Sequence, residues 1–152
     1  MFRIFIGSDH AGFAMKKYII EFILNNFDFE IIDKGTYSES SCDYPDYAIE
    51  VCKEIQNDPN SIGILICGTG IGMCIVANKF DNVRAALCTD STMAKFARLH
   101  NNSNVLCLGA RIIGFEVAKD IVNSFLVNHF EGGRHQKRLE KIKELEKKIK
   151  AC

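Results

Sequence analysis

The sequence lacks an excess of charge of either sign, any long apolar run and more than a few prolines. Its 19 Lys and Arg balance 19 Asp and Glu, which argues against a nucleic-acid binder that uses a broad basic surface. No apolar run reaches the length of a bilayer span, and the segment after Met1 lacks the layout of a signal peptide. With two prolines, no repeat and no low-complexity linker, we expect one cytoplasmic domain over residues 1–152, bound to no membrane.

Cysteine is abundant, but its spacing matches neither a metal site nor a disulfide framework. The seven cysteines stand at positions 42, 52, 67, 74, 88, 107 and 152, with no C-x-x-C pair and no cluster with histidine at zinc-finger spacing. Cys88 and Cys107 lie inside apolar segments, which is typical of small buried side chains in a reducing compartment. A thiol redox protein stays an alternative on the cysteine count alone, since Cys67 has no evident resolving partner.

Short apolar runs alternate with segments of helical spacing along the chain. The apolar runs have strand length, end at turn signals and cover residues 2–6, 29–32, 62–67, 83–87 and 104–108. Helical spacing follows in residues 14–25, 47–56, 72–79, 91–100 and 115–128. In the first of these helices it places Lys16, Lys17 and Glu21 on the polar side. The alternation predicts a single α/β domain, a three-layer, Rossmann-like, doubly wound sheet of five parallel strands.

The end of the chain has a different composition. Residues 136–150 are rich in Lys and Glu, and the apolar residues among them recur at spacings of three and four, at Leu139, Ile142, Leu145 and Ile149. This pattern predicts an extra C-terminal amphipathic helix within residues 130–150, with a narrow apolar stripe. Two interpretations stay open: the helix closes over its own domain, or it docks on a partner subunit.

Glycines cluster where the third predicted strand meets the next helix, in the segment Cys-Gly-Thr-Gly-Ile-Gly over residues 67–72. Ligands of doubly wound sheets bind beyond the carboxyl ends of the strands, and a glycine turn lets an anion approach the helix N-terminus. A thiol at Cys67, beside that N-terminus, stands where thiolate character is favoured. The alternatives are a tight turn that needs glycine for its backbone alone, and a buried structural cysteine.

Histidines and arginines supply further candidates. His10 follows the first predicted strand and His100 ends a helix, and each would more often be a surface or capping residue than a catalyst. Arg134 and Arg138 lie four residues apart at the start of the last helix, which suits a phosphate group, although a solvated basic face is the common alternative. Arg111, after the fifth strand, could be a third arginine that binds the same phosphate group.

Taken together, these segments resemble the type B ribose-5-phosphate isomerases, one branch of a family that also holds the galactose-6-phosphate isomerase subunits. The motifs that carry the resemblance stand in family order: Gly7-Ser8-Asp9-His10-Ala11-Gly12, Asp43-Tyr44-Pro45, Cys67-Gly68-Thr69-Gly70-Ile71-Gly72, Ala77-Asn78-Lys79, His100-Asn101 and Gly132-Gly133-Arg134-His135-Gln136. Each motif is weak alone, but the set is highly specific and runs from Met1 to the last helix.

The resemblance implies aldose–ketose isomerisation of ribose 5-phosphate and ribulose 5-phosphate through an enediolate, without a metal or an organic cofactor. It implies that Cys67 is the base that takes the C2 proton and that Thr69, with the N–H groups of Gly68 to Gly72, holds the developing oxyanion. It further implies that His100 opens the furanose ring, with Asp9 assisting at the sugar hydroxyls. The substrate-binding residues that it implies are Asp9, His10, Tyr44, Gly68, Thr69, Gly70, Ile71, Gly72, Asn101, Arg111, Arg134 and Arg138, with His10, Arg134 and Arg138 on the phosphate.

The branches of the family differ in the residue that acts as the base. A branch with a glutamate base carries that residue six positions after the cysteine, where this chain has Met73, so the cysteine mechanism fits. The resemblance also implies a homodimer, or a dimer of dimers, whose site is shared between subunits. A six-carbon substrate such as allose or galactose 6-phosphate, and a non-catalytic sugar-phosphate binder, stay open as alternatives.

Overall fold

The computed structural model describes residues 2–152, and Met1, the first residue of the predicted domain, lies outside the described residues. Within the described residues, five strands and six helices follow one another. The strands are β1 (Arg3–Ser8), β2 (Glu30–Asp33), β3 (Ile62–Cys67), β4 (Ala85–Leu87) and β5 (Val105–Gly109). The helices are α1 (Phe13–Asn26), α2 (Tyr44–Asn57), α3 (Ile71–Ala77), α4 (Ser91–Asn101), α5 (Phe115–Val127) and α6 (Arg134–Ala151).

All strand pairs are parallel, in the order β2-β1-β3-β5-β4, which confirms the predicted sheet. Apart from β3, the strand boundaries differ from the prediction by one or two residues; β4, for example, begins at Ala85 rather than at residue 83. The amide of Val83 donates to the carbonyl of Phe80, and the amide of Arg84 donates to the Asn104 side chain. These two amides are taken by a turn and a side chain, so they do not join the ladder.

Helices cover both faces of the sheet and bury alternate strand residues. Ile4 and Ile6 of β1 face the layer of α1, α4 and α5, whereas Phe5 faces α2 and α3. The prediction that Lys16 lies on the polar side of α1 is wrong, because Lys16 is fully buried. Its ammonium donates to the Asp33 carboxylate at 2.6 Å and to the carbonyl of Thr36, so the charge is paired and hydrogen-bonded.

The parallel sheet has two distinct edges, which we call the carboxyl edge and the amino edge after the strand ends that they carry. Strands β1, β3 and β5 end at the carboxyl edge with Ser8, Cys67 and Gly109. Helix α4 starts near that edge, after β4, and runs back to finish before β5 begins. Its last residues, His100 and Asn101, therefore lie at the amino edge.

Helix α6 extends along the amino edge beside β4. Lys150 forms an ion pair with Asp81, and Lys143 donates to Asn82. Its apolar stripe is largely unburied within the chain, with Ile142, Leu145 and Ile149 exposed by 47%, 56% and 66%. These three side chains line a groove of about 450 Å³ that also contacts Ala85 and Ala86 of β4. Within residues 2–152, helices long and apolar enough to cross a bilayer are absent.

Candidate functional site

The thiol of Cys67 lies at the carboxyl edge, at the end of β3, and only 4% of the residue is exposed. Its Sγ accepts a hydrogen bond from the amide of Gly70 at 3.2 Å. This contact needs the left-handed backbone of Gly70, which has φ +79° and leaves no room for a side chain. The turn therefore directs a backbone hydrogen-bond donor at the sulfur.

The rest of the glycine turn is bonded to itself and to the loop after β5. Thr69 Oγ1 accepts from the amide of Ile71 at 3.2 Å. The carbonyls of Cys67 and Gly68 accept from the amides of Ala110 and Arg111 at 2.8 and 2.9 Å. Two of the turn amides predicted to serve an oxyanion, those of Gly70 and Ile71, are thus engaged within the turn, and Thr69 is exposed next to them.

Two side chains lie directly over glycines of this turn. A Cβ placed on Gly68 would stand 3.3 Å from Nη1 of Arg111, and one on Gly72 would stand 2.4 Å from the Tyr44 ring. A side chain at position 72 would displace the Tyr44 ring, whereas one at position 68 would need only a small shift of the Arg111 side chain. The contacts bring Arg111 and Tyr44 to the carboxyl edge, next to Cys67, where the sequence predicted binding residues.

Asp9 and His10 follow β1 at the same edge. Asp9 is 7% exposed, and its Oδ1 accepts from the amide of Gly12 at 3.1 Å. His10 Nδ1 accepts from the amide of Cys42 at 3.2 Å. The carboxyl edge thus carries a thiol, a hydroxyl, a carboxylate and an imidazole, which include groups able to act as the base and as donors in proton transfer next to a carbonyl.

A second cluster lies at the amino edge. His100 and Asn101 end α4, and Arg134 and Arg138 stand on the first turns of α6. The ring of His135 stacks on that of His100, with centroids 4.2 Å apart and an interplanar angle of 14°. Both arginines are exposed, and among residues 2–152 no ion pair engages either of them. Their guanidinium groups are therefore open to an anion.

His100, Glu131 and His135 approach one another closely enough to suggest a metal site. The geometry does not suit one, because the lone pairs of two stacked imidazoles lie in nearly parallel planes and do not converge on a point. The pKa of His135 is lowered, first by desolvation and then by the charges of His100, Arg134 and Arg138, while Glu131 raises it. Burial and the neighbouring cations thus favour the neutral form of His135 in this stack.

The two clusters do not meet within one chain. Strand β5 runs from Val105 at the amino edge to Gly109 at the carboxyl edge, which is about 13 Å at ~3.3 Å per residue. His100 precedes the start of this strand, whereas Cys67 pairs with its end. The fold therefore separates the predicted ring-opening histidine from the predicted base by at least the length of a strand.

Comparison with known proteins identifies the relatives of this architecture. The pattern of the family described as Ribose/Galactose Isomerase matches residues 4–142. The chain belongs to the ribose/galactose isomerase family. Ribose-5-phosphate isomerase B of Escherichia coli is 44% identical over 148 residues, which is 97% of this chain and 99% of that protein. The family resemblance inferred from the motifs is confirmed.

Solved structures agree with the family assignment. Ribose-5-phosphate isomerase B of Clostridium thermocellum is similar with a TM-score of 0.93 and 46% identity, over 97% of this chain and 99% of that chain. The Mycoplasma genitalium structure, described as having bound ribulose-5-phosphate, gives a TM-score of 0.92 and 45% identity, over 96% and 97%. The predicted fold class is thereby confirmed at the level of whole structures.

Three contacts of this ribose/galactose isomerase domain were not predicted from the sequence. They are the stack of His135 on His100, the Cys42 amide at His10, and the burial of Lys16. Each joins residues more than 15 positions apart, so no local spacing signals it. Lys16 follows the buried residue Met15, and its partners Asp33 and Thr36 lie at the end of β2 and beyond it.

Proposed function

We propose that this chain interconverts ribose 5-phosphate and ribulose 5-phosphate in the cytoplasm. The observation that carries the proposal is the Cys67 thiol, whose sulfur accepts a hydrogen bond from the Gly70 amide inside the glycine turn of a ribose/galactose isomerase fold. The full-length relatives named ribose-5-phosphate isomerase B, and the relative described with bound ribulose-5-phosphate, support this substrate. The seven free thiols are compatible with a reducing compartment.

In the proposed reaction the Cys67 thiolate takes the proton from C2 of the open-chain aldose. The electron pair of that C–H bond forms the C1–C2 double bond of an enediolate, and the negative charge moves to the oxygen on C1. Thr69 donates to this oxyanion, and Asp9 accepts from the sugar hydroxyls. Returning the proton from Cys67 to C1, with transfer of the O2 proton to O1, gives the ketose, so that atoms and charge balance.

The residues of the amino edge complete this site when they come from a second copy of the chain. We propose a homodimer in which His100 of one subunit opens the furanose ring of the sugar bound at Cys67 of the other. Arg134 and Arg138 then meet His10 across the interface and bind the phosphate, with Asn101 and Arg111 closing the pocket. The unburied stripe on α6 supports docking on a partner over closure on its own domain.

Isomerisation of ribose 5-phosphate in EDTA, compared with allose and galactose 6-phosphates, tests the substrate. We expect turnover of the pentose phosphate alone. For the mechanism, Cys67→Ala should lower kcat by about 10²–10⁴-fold while binding of the sugar phosphate persists. Cys152→Ala, which removes an exposed thiol at the chain end, is the matched control and should retain activity. Turnover of a six-carbon sugar would change the substrate, and binding without turnover in the native protein would favour a sugar-phosphate binder.

A mixing experiment tests the shared site. Cys67→Ala and His100→Ala dimers are each inactive in the proposal, but a mixed dimer contains one site with both native residues. Unfolding and refolding equal amounts together should restore about one quarter of native activity, since half of the dimers are mixed and half of their sites are intact. Mixtures no more active than the parents, with mixed dimers present by mass spectrometry, would place both residues in one chain.

A further inference from the structure

The loop between β2 and α2, residues 34–43, touches the carboxyl edge at two places. Near its start, the amide of Ser8 donates to the carbonyl of Gly35 at 2.7 Å, and the amide of Thr36 donates to the carbonyl of Ser8 at 2.8 Å. The buried ammonium of Lys16 also donates to the Thr36 carbonyl. The loop then crosses exposed residues 38–41 and returns at Cys42, whose amide donates to Nδ1 of His10 at 3.2 Å.

This return contact has a chemical consequence for His10. A neutral imidazole has one nitrogen that donates and one that accepts, and the hydrogen bond at one nitrogen decides the protonation of the other. A backbone N–H is a donor and can never accept, so the bond from Cys42 requires a lone pair on Nδ1. The proton of the neutral ring then resides on Nε2. The Cys42 thiol does not impose this direction, because its Sγ stands farther away, at 4.0 Å from Nδ1.

We propose that the backbone amide of Cys42 is a positioning group, which holds His10 as the neutral Nε2–H tautomer so that His10 presents a donor to the phosphoryl group of the substrate. The use of His10 on phosphate rests on the function proposed above, whereas the tautomer itself does not. Phosphoryl oxygens only accept hydrogen bonds, so a His10 with its lone pair on Nε2 would repel them. The loop that Lys16 holds at the Thr36 carbonyl thus also determines which nitrogen of His10 carries the proton.

The tautomer can be read directly by NMR on the full chain without substrate. In ¹⁵N-labelled protein at pH 8, long-range ¹H–¹⁵N correlation should show His10 with an unprotonated Nδ1 and a protonated Nε2, and His10→Gln assigns the signals. A scalar coupling across the hydrogen bond should join the Cys42 amide nitrogen to His10 Nδ1. A protonated Nδ1, or absence of the coupling at pH 8, overturns the proposal without reference to activity.

Two substitutions at one position separate the amide from the thiol. Cys42→Ala keeps the N–H, so it should keep the coupling and the tautomer. Cys42→Pro removes the N–H and should abolish the coupling. Relative to Cys42→Ala, its KM for ribose 5-phosphate should rise about 2- to 10-fold, the effect of one neutral hydrogen bond, with a smaller change in kcat. Equal KM values in the two variants, with the coupling lost in Cys42→Pro, would show that the amide does not position His10 for substrate.

Discussion

Gly70→Ala combines two separable costs at the turn that holds Cys67. The backbone of Gly70 has φ +79°, a region that costs a residue with a side chain about 1–2 kcal/mol. The new Cβ would also stand 2.9 Å from the carbonyl carbon of Leu108 and 2.6 Å from the end of the Leu87 side chain. Leu87 can rotate away, but the Leu108 backbone belongs to a central strand and cannot, so overpacking adds about 1–3 kcal/mol.

Three other glycines isolate these costs. Gly132 has φ +71° with no atom within 4 Å of an added Cβ, so Gly132→Ala carries the backbone strain alone. Gly109 lacks the positive φ but would place its Cβ 2.6 Å from the Thr69 carbonyl oxygen, so Gly109→Ala carries the clash alone. Gly114 has neither feature and serves as the baseline for the entropy that alanine removes from the unfolded chain, about 0.4–1 kcal/mol.

Urea unfolding at one fixed protein concentration measures the four free energies of unfolding. We expect Gly114→Ala to gain about 0.4–1 kcal/mol of stability, Gly132→Ala to lose about 1 kcal/mol and Gly109→Ala to lose about 1–3 kcal/mol. Gly70→Ala should lose about 3 kcal/mol, which lowers Tm by about 6–12 °C for a domain of this size. A Gly70→Ala variant no less stable than Gly132→Ala would refute the argument, because the Leu108 backbone would then not resist the Cβ.

Two further predictions concern charge. Arg138→Ala should raise KM for ribose 5-phosphate about 10- to 100-fold with a smaller change in kcat, because a charge-assisted hydrogen bond to the phosphate is lost. Lys137→Ala is the control and should leave KM unchanged. Equal effects of the two substitutions would show that Arg138 belongs to a solvated basic face. The pKa of Cys74 is lowered to about 7, chiefly by a hydrogen bond with Cys107, whereas burial raises that of Cys88 to about 12. Iodoacetamide labelling of Cys74, followed by mass spectrometry, should therefore rise with pH around 7 and precede that of Cys88; a pH-independent rate would contradict the shift.

The elements of the sheet could be predicted because strand burial leaves a local signature. Five short apolar runs that end at turns imply parallel strands, and the polar residues after them must share one edge. Asp9, Cys67 and Arg111 follow β1, β3 and β5 and do lie at the carboxyl edge, so their placement depends on strand order along the chain and not on side-chain contacts.

The residues of the amino edge could not be placed from the strand pattern. His100 and Arg134 stand on helices, and the position of a helix end depends on the direction in which the chain crosses the sheet. Only the finished topology shows that α4 carries His100 away from Cys67. Lys16 was mispredicted for a related reason, since a buried charge is stabilised by Asp33 and Thr36, partners that the spacing of α1 does not contain.

The opposite placement of Cys67 and His100 also bears on inheritance. In the proposed dimer each chain serves two sites, giving its thiol to one and its histidine to the other. A chain defective at a single residue still leaves one intact site when paired with a native chain. A chain defective at both Cys67 and His100 would disable both sites of such a pair, so a double mutant expressed beside the native gene would be dominant negative. Either single mutant would lower total activity only in proportion to the native sites lost.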